Sequence, residues 1–199
     1  PRVANVTSQK VNWSHNRTET RLTTEDIPKL DLYIDQVIQL FENKYEPTKR
    51  SPDDKILTKT MINNYSKGKL FFPLKNKKYS PEHVMLINMI YEMKTILQIR
   101  DIKTTLDRLN NRMLAEAIDL EPIYQSFLEM ADTNLQRFQE DVKQIAEEAT
   151  RQTEKLNEED KVYLKQVLLI LSFINMSNYF RRIAETIVDE IEDSETKKD

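Results

Sequence analysis

Gly68 is the only glycine among the 199 residues of this chain. That scarcity constrains the fold more than any other feature. β-rich and glycine-loop architectures need positive-φ residues repeatedly, and glycine is the residue that adopts them without steric cost. With 39% hydrophobic and 32% charged residues, the chain has apolar side chains for a core and charge for long amphipathic helices. A mainly α fold is therefore expected. Gly68 itself sits where a short helix must turn into a loop.

The apolar spacing places the elements. Thr24, followed by Glu25 and Asp26, has the character of a helix N-cap. Leu30, Ile34, Val37, Ile38, Phe41 and Tyr45 then recur at three- and four-residue intervals, which predicts one buried face ending before Glu46-Pro47. Residues 46–55, with Pro47 and Pro52, read as a loop. A short helix is predicted over residues 58–67, capped by Thr58, with Leu57, Met61, Ile62 and Tyr65 inward and Lys59, Asn63, Asn64 and Lys67 outward. Leu70-Phe71-Phe72-Pro73 and Lys77-Lys78-Tyr79 are expected to pair as a small two-stranded wing through Leu74-Lys75-Asn76, with Pro73 confined to an edge or turn.

Ser80-Pro81-Glu82-His83 is a sharp helix start: serine as cap, proline at the first position, glutamate in the first turn. Val84, Ile87, Ile90, Tyr91 and Lys94 continue that face. A break near residues 99–101 leads to a helix over 102–113, striped by Ile102, Leu106 and Leu109. Asp119-Leu120-Glu121-Pro122 restarts a helix running to about residue 156, and a last helix spans 157–191. The expected organisation is a polar arm at 1–23, a head at 24–113 and a helical dimerisation or effector region at 114–199.

The net charge of −3 hides a segregation. Residues 44–79 carry ten basic and three acidic side chains, whereas residues 116–160 carry four basic and thirteen acidic ones, and 185–199 two and seven. A positive head on an acidic body is a local footprint for a polyanion. With no cysteine, disulfides, zinc–thiolate sites and thiol redox chemistry are excluded. Residues 1–21 are polar, without a signal peptide's apolar run, and the apolar run at 167–178 is bounded too closely by Lys161, Lys165 and Arg181 for a span of about 20 residues. A soluble cytoplasmic protein is expected. On that reading the Asn-x-Ser/Thr triplets at Asn5, Asn12, Asn16, Asn64 and Asn175 are chance matches rather than glycan sites.

No glycine-rich phosphate loop, nucleophile–base pair or ligand cluster is present, so no catalytic residue, metal or cofactor is expected. His83 reads as a helix-start residue, with His15 the only other histidine. Glu147-Glu148 and Glu158-Glu159-Asp160 read as solvated faces and helix-start charges. The candidate chemistry is DNA recognition. Asn63 and Asn64 carry amides that can donate to N7 and accept from N6 of adenine, and Thr58, Lys59, Lys67, Lys69, Lys75, Asn76, Lys77 and Lys78 surround them with phosphate-binding groups. An ordinary solubilising loop is the alternative for Lys75, Lys77 and Lys78, and the polar surface of a short helix is the alternative for Asn63 and Asn64. Tyr65 and Tyr79 read as core or hinge residues with wet hydroxyls rather than stacking platforms.

Thr60-Met61-Ile62-Asn63-Asn64-Tyr65-Ser66-Lys67-Gly68-Lys69-Leu70, followed by Lys78-Tyr79-Ser80-Pro81-Glu82-His83-Val84, is similar to the head of MerR-type transcription regulators. Those open a recognition helix with Thr-Leu-Arg-Tyr-Tyr, leave it through Gly-Leu-Leu, and follow with a basic wing ending in Tyr and a Ser-capped helix. Ile99-Arg100-Asp101-Ile102-Lys103 also looks like the following segment. The whole chain resembles more closely a bacterial family of about this length that joins a MerR-like head to an uncharacterised helical C-terminal region. The resemblance covers residues 56–110 by motif and implies a winged helix-turn-helix fold, double-stranded DNA as partner and a role in transcription regulation. Ile62, Asn63 and Asn64 stand where the pattern has Arg-Tyr-Tyr, so the arginine that would grip phosphate or guanine is missing.

Three functions follow: a DNA-binding regulator whose helical body dimerises or senses an effector, a helical protein-interaction module without specific DNA binding, and, least supported, an enzyme with a site in a helical bundle. Leu164, Val167, Leu168, Leu171, Ile174 and Ile183 give the last helix an apolar surface, with Leu169, Ile170 and Phe173 off that stripe. A helix apolar on more than one side needs more than one covering neighbour. A homodimer through the C-terminal helices is expected, with cover by intramolecular helices as the alternative.

Overall fold

The computed structural model describes residues 19–157 and 159–196, and the expected arm falls largely on residues 1–18, outside that range. Six α-helices are present among the described residues: α1 Ile34–Tyr45, α2 Lys59–Lys67, α3 Pro81–Met93, α4 Ile99–Leu114, α5 Glu121–Glu154 and α6 Lys161–Thr196. A 3-10 turn, Glu46–Thr48, follows α1 where Pro47 removes a backbone donor. The mainly α expectation matches this arrangement.

The two-stranded wing is not formed, and no strand occurs among the described residues. The segment expected to supply its first strand is drawn inward instead, with Leu70 and Phe71 buried. Pro73 has no N–H to offer a partner. Tyr79 pairs elsewhere: its N–H donates to the Leu32 carbonyl at 2.8 Å, and the Leu32 N–H donates to the Tyr79 carbonyl at 2.8 Å. What remains of the wing is one tight turn, closed by an isolated bridge between Lys75 and Lys78. Asn76 and Lys77 lie at φ 52° and 58°, the geometry of a two-residue hairpin turn.

One further expectation is corrected. The helix foreseen after Thr24 begins at Ile34: the Asp26 N–H donates to the Thr23 carbonyl at 3.2 Å and the Ile27 N–H to the Thr24 carbonyl at 3.3 Å, but Pro28 has no N–H to continue these turns. Leu32 is then held extended against Tyr79. Gly68 ends α2 as expected, with φ −71°, and the left-handed residue that follows it is Lys69, at φ 55°.

The core runs continuously from Leu22 to Leu128. α3 is its central element, buried from His83 through Asn88 and again at Ile90. Val37 and Phe41 of α1 and Ile62 of α2 are fully buried, and each such side chain contributes about 1.5–3 kcal/mol. Leu120, Tyr124 and Leu128 belong to the same cluster, so the first turns of α5 pack as part of the head. A closed polar circuit ties these layers together. The Tyr45 hydroxyl donates to Asn88 Oδ1 at 2.6 Å, Asn88 Nδ2 donates to the Tyr124 hydroxyl at 2.8 Å, and that hydroxyl donates to the Leu22 carbonyl at 2.6 Å. The Leu22 N–H returns to the Tyr45 hydroxyl at 3.2 Å. Arg21 adds a bond to the Ala131 carbonyl at 3.0 Å and an ion pair to Asp132 at 2.5 Å.

Beyond the head, α5 and α6 form an antiparallel hairpin. Lys161 Nζ donates to the Glu154 carbonyl at 3.3 Å where the two meet, and Arg100 at the start of α4 pairs with Glu192 near the end of α6. Among the described residues no helix is long and apolar enough to cross a membrane.

Candidate nucleic-acid interface

α2 is short, and its position is set from both ends. Thr58 Oγ1 accepts from the Met61 N–H at 3.2 Å, occupying one of the donors a helix start leaves unpaired. At the other end the Lys69 N–H donates to the Ser66 carbonyl and the Leu70 N–H to the Tyr65 carbonyl, both at 3.0 Å. This is a Schellman closure with Lys69 in the left-handed position. Ile62 and Tyr65 are buried on one side. Lys59, Thr60, Asn63, Asn64, Ser66 and Lys67 are exposed on the other.

The exit from α2 is anchored as well. Asn110 of α4 is buried and its Nδ2 donates to the Leu70 carbonyl at 3.0 Å. His83 fixes the next segment: its Nε2–H donates to the Phe72 carbonyl at 3.1 Å, while Nδ1 accepts from the Ser80 N–H at 3.2 Å. The Ser80 hydroxyl accepts from the His83 N–H at 3.5 Å, so serine and histidine cap each other at the start of α3. Burial holds the His83 imidazole below its ordinary pKa, against the pull of the Phe72 carbonyl. One ring proton on Nε2 is what this geometry requires.

The turn carrying Lys75, Asn76 and Lys77 is exposed, and Lys78 is half-buried. Lys78 Nζ lies 5.0 Å from the centre of the Tyr33 ring. Lys59 reaches Asp35 at 3.7 Å with both side chains largely in water, a pair worth little in stability. The first turn of α1 thus stands between the basic turn and α2, touching each. Lys59, Asn63, Asn64 and Lys67 share the outer side of α2, Lys69 sits at its exit, and Thr58 is occupied as a cap. Asp31 and Asp35 are exposed on the intervening turn and dilute the positive field there.

Tyr33 was missed by sequence reasoning. It is 56% exposed beside Lys78, and this placement follows from the Leu32–Tyr79 pairing, for which the sequence carries no signal. Tyr65 and Tyr79 are core residues as expected, but the Tyr65 hydroxyl is not wet: it is buried without a hydrogen-bond partner among the described residues, and burial pushes its pKa up to about 12. Burial also raises Tyr79. No group of three or more His, Cys, Asp or Glu side chains that could hold a metal occurs among the described residues.

Fold and surface together define an all-helical head presenting one short, amide- and lysine-bearing helix, joined to a long helical hairpin. The chain belongs to the family described as a domain of unknown function (DUF1836), which it matches over residues 22–127. That match coincides with the contiguous core of the head and leaves α6 outside. Comparison with curated proteins and with solved structures finds no match.

Proposed function

We propose that the protein is a DNA-binding transcriptional regulator that sets α2 against the major groove of double-stranded DNA. Asn63 and Asn64 address base edges, while Lys59, Lys67, Lys69, Lys75 and Lys77 meet phosphates. The observation that carries the reading is the division of α2: Ile62 and Tyr65 lock one side into the core, and the opposite side offers only amides, hydroxyls and ammonium groups to solvent. A helix held this way presents its polar groups at fixed spacing, which base readout needs.

A salt titration of binding to genomic and random fragments tests this. Replacing Lys75 and Lys77 with alanine is expected to weaken binding to all sequences alike, lowering the salt slope by about one unit for each phosphate no longer neutralised. Asn63→Ala or Asn64→Ala is expected to relax sequence preference, costing about 1–3 kcal/mol at the base read. Absence of salt-dependent binding to any fragment overturns the proposal. A second reading, a protein-interaction module, is favoured by the apolar side chains left uncovered on α6.

A further inference from the structure

Where the described chain begins, it runs along α5. The Tyr124 hydroxyl bonds to the Leu22 carbonyl at 2.6 Å. Arg21, one residue earlier, bonds to the Ala131 carbonyl at 3.0 Å and pairs with Asp132 at 2.5 Å. Thr20, the next residue back, lines a cavity together with Asn134, Leu135 and Phe138. Read backward from Leu22 to Thr20, the contacts advance about 15 Å along α5, at roughly 1.5 Å per residue, away from the core of the head. The cavity measures about 470 Å³ and opens between α5 and the ends of α1 and α3. Its apolar wall is made by Tyr91, Phe127, Leu135 and Phe138, and Glu92 places a carboxylate beside that wall. Asn134, Phe138 and Asp141 follow one another at helical spacing, so the exposed Asp141 continues the same face of α5.

We propose that residues 1–18 of this chain occupy the cavity, with the Trp13 indole against Phe127, Leu135 and Phe138. Segment and site match in three ways. The backward course of the chain enters the cavity at Thr20, and Trp13, seven residues before it, reaches any point within about 24 Å. Trp13 is the only tryptophan of the chain, and an indole brings a large apolar area to such a wall while its N–H faces a polar neighbour. Charge agrees as well. Residues 1–18 hold Arg2, Lys10 and Arg17 and no aspartate or glutamate, whereas the site offers Glu92 and Asp141. The segment then fastens α1 and α3 to the stretch of α5 beyond Leu128, where the core of the head ends. This inference stands apart from DNA binding and is tested without DNA.

Because Trp13 is unique, the fluorescence of the full chain reads this one site. Its emission is expected to lie to the blue of tryptophan in water and to be protected several-fold from acrylamide quenching, at every protein concentration. Leu135→Lys is expected to shift the emission to the red and remove the protection, with helical circular dichroism unchanged. The chain has no cysteine, so Ser14→Cys with Asn134→Cys gives a second measurement. A short bis-maleimide is expected to join these two thiols within one chain, and not those of Ser14→Cys with Ser177→Cys on α6. Wild-type emission like that of tryptophan in water overturns the proposal. Protection that survives Leu135→Lys but is lost in Ile174→Asp places the segment on α6 and overturns it too. Cross-links formed only between two chains place the segment on a second copy, with the same consequence.

Discussion

Lys69 occupies the one position where α2 needs a left-handed residue, with φ 55°, while the glycine stands one residue earlier at φ −71°. A side chain in that region costs about 1–2 kcal/mol relative to glycine. Lys69→Gly is therefore expected to stabilise the protein by about 1 kcal/mol in urea unfolding, and no gain would mean the left-handed turn is not maintained in solution. At Gly68 the backbone suits any residue, and an added Cβ would meet the Asn64 carbonyl at 3.2 Å. Gly68→Ala is accordingly expected near neutrality, the entropy gain of about 0.4–1 kcal/mol being offset by that contact. Tyr65 gives a third measurement at this scale. Its buried hydroxyl has no partner among the described residues, so Tyr65→Phe is expected to be neutral or up to about 1 kcal/mol stabilising. A destabilisation of that size would show the hydroxyl to be bonded.

Among the elements, the start of α3 carries a pH dependence. His83 is buried and neutral in the Ser80–His83 cap, and its pKa is lowered chiefly by burial. The unfolded chain binds a proton at about pH 6.5 that the folded chain resists. Stability from this group is thus fully present above about pH 6.5 and falls as the pH drops below it, by at most about 1.4 kcal/mol per pH unit. The difference in unfolding free energy between the wild type and His83→Gln, followed from pH 7.5 to pH 5 (roughly the histidine range), isolates the effect from the carboxylates. The advantage of the wild type is expected to shrink toward acid, and a constant difference would refute the assignment. The caps at Thr58 and Ser80 are legible in the sequence because a cap is a contact between residues three apart. The left-handed lysine is not, since the same four residues also fit a closure at Gly68.

For the whole molecule, the uncovered faces of α6 make stability a question of concentration. If two copies share these faces, unfolding is linked to dissociation and Tm depends on protein concentration. A tenfold increase is expected to raise Tm by about 2 °C for a molecule of twice this length, and a concentration-independent Tm would speak for a monomer that tolerates its exposed apolar surface. The division between head and hairpin is also a property at this scale. Tyr124 and Leu128 complete the core of the head, yet they lie on the same helix as Val142 and Ala149, buried farther along α5. One helix serves two packing units, which apolar periodicity alone does not distinguish.

The helices themselves, the outward side of α2 with Lys59, Asn63, Asn64 and Lys67, and the serine start of α3 were determined by the sequence, because periodicity and capping depend on neighbours a turn or less away. Contacts between distant segments fixed where α1 begins, what Tyr79 pairs with and how Asn88 is satisfied. Those outcomes join residues distant in the chain: Leu32 to Tyr79, and Leu22 to Tyr45, Asn88 and Tyr124. A basic loop flanked by apolar residues is compatible with a two-stranded wing. Pro73 has no N–H to offer the opposite strand, and both backbone groups of Tyr79 are bonded to Leu32, which leaves only the Lys75–Lys78 bridge.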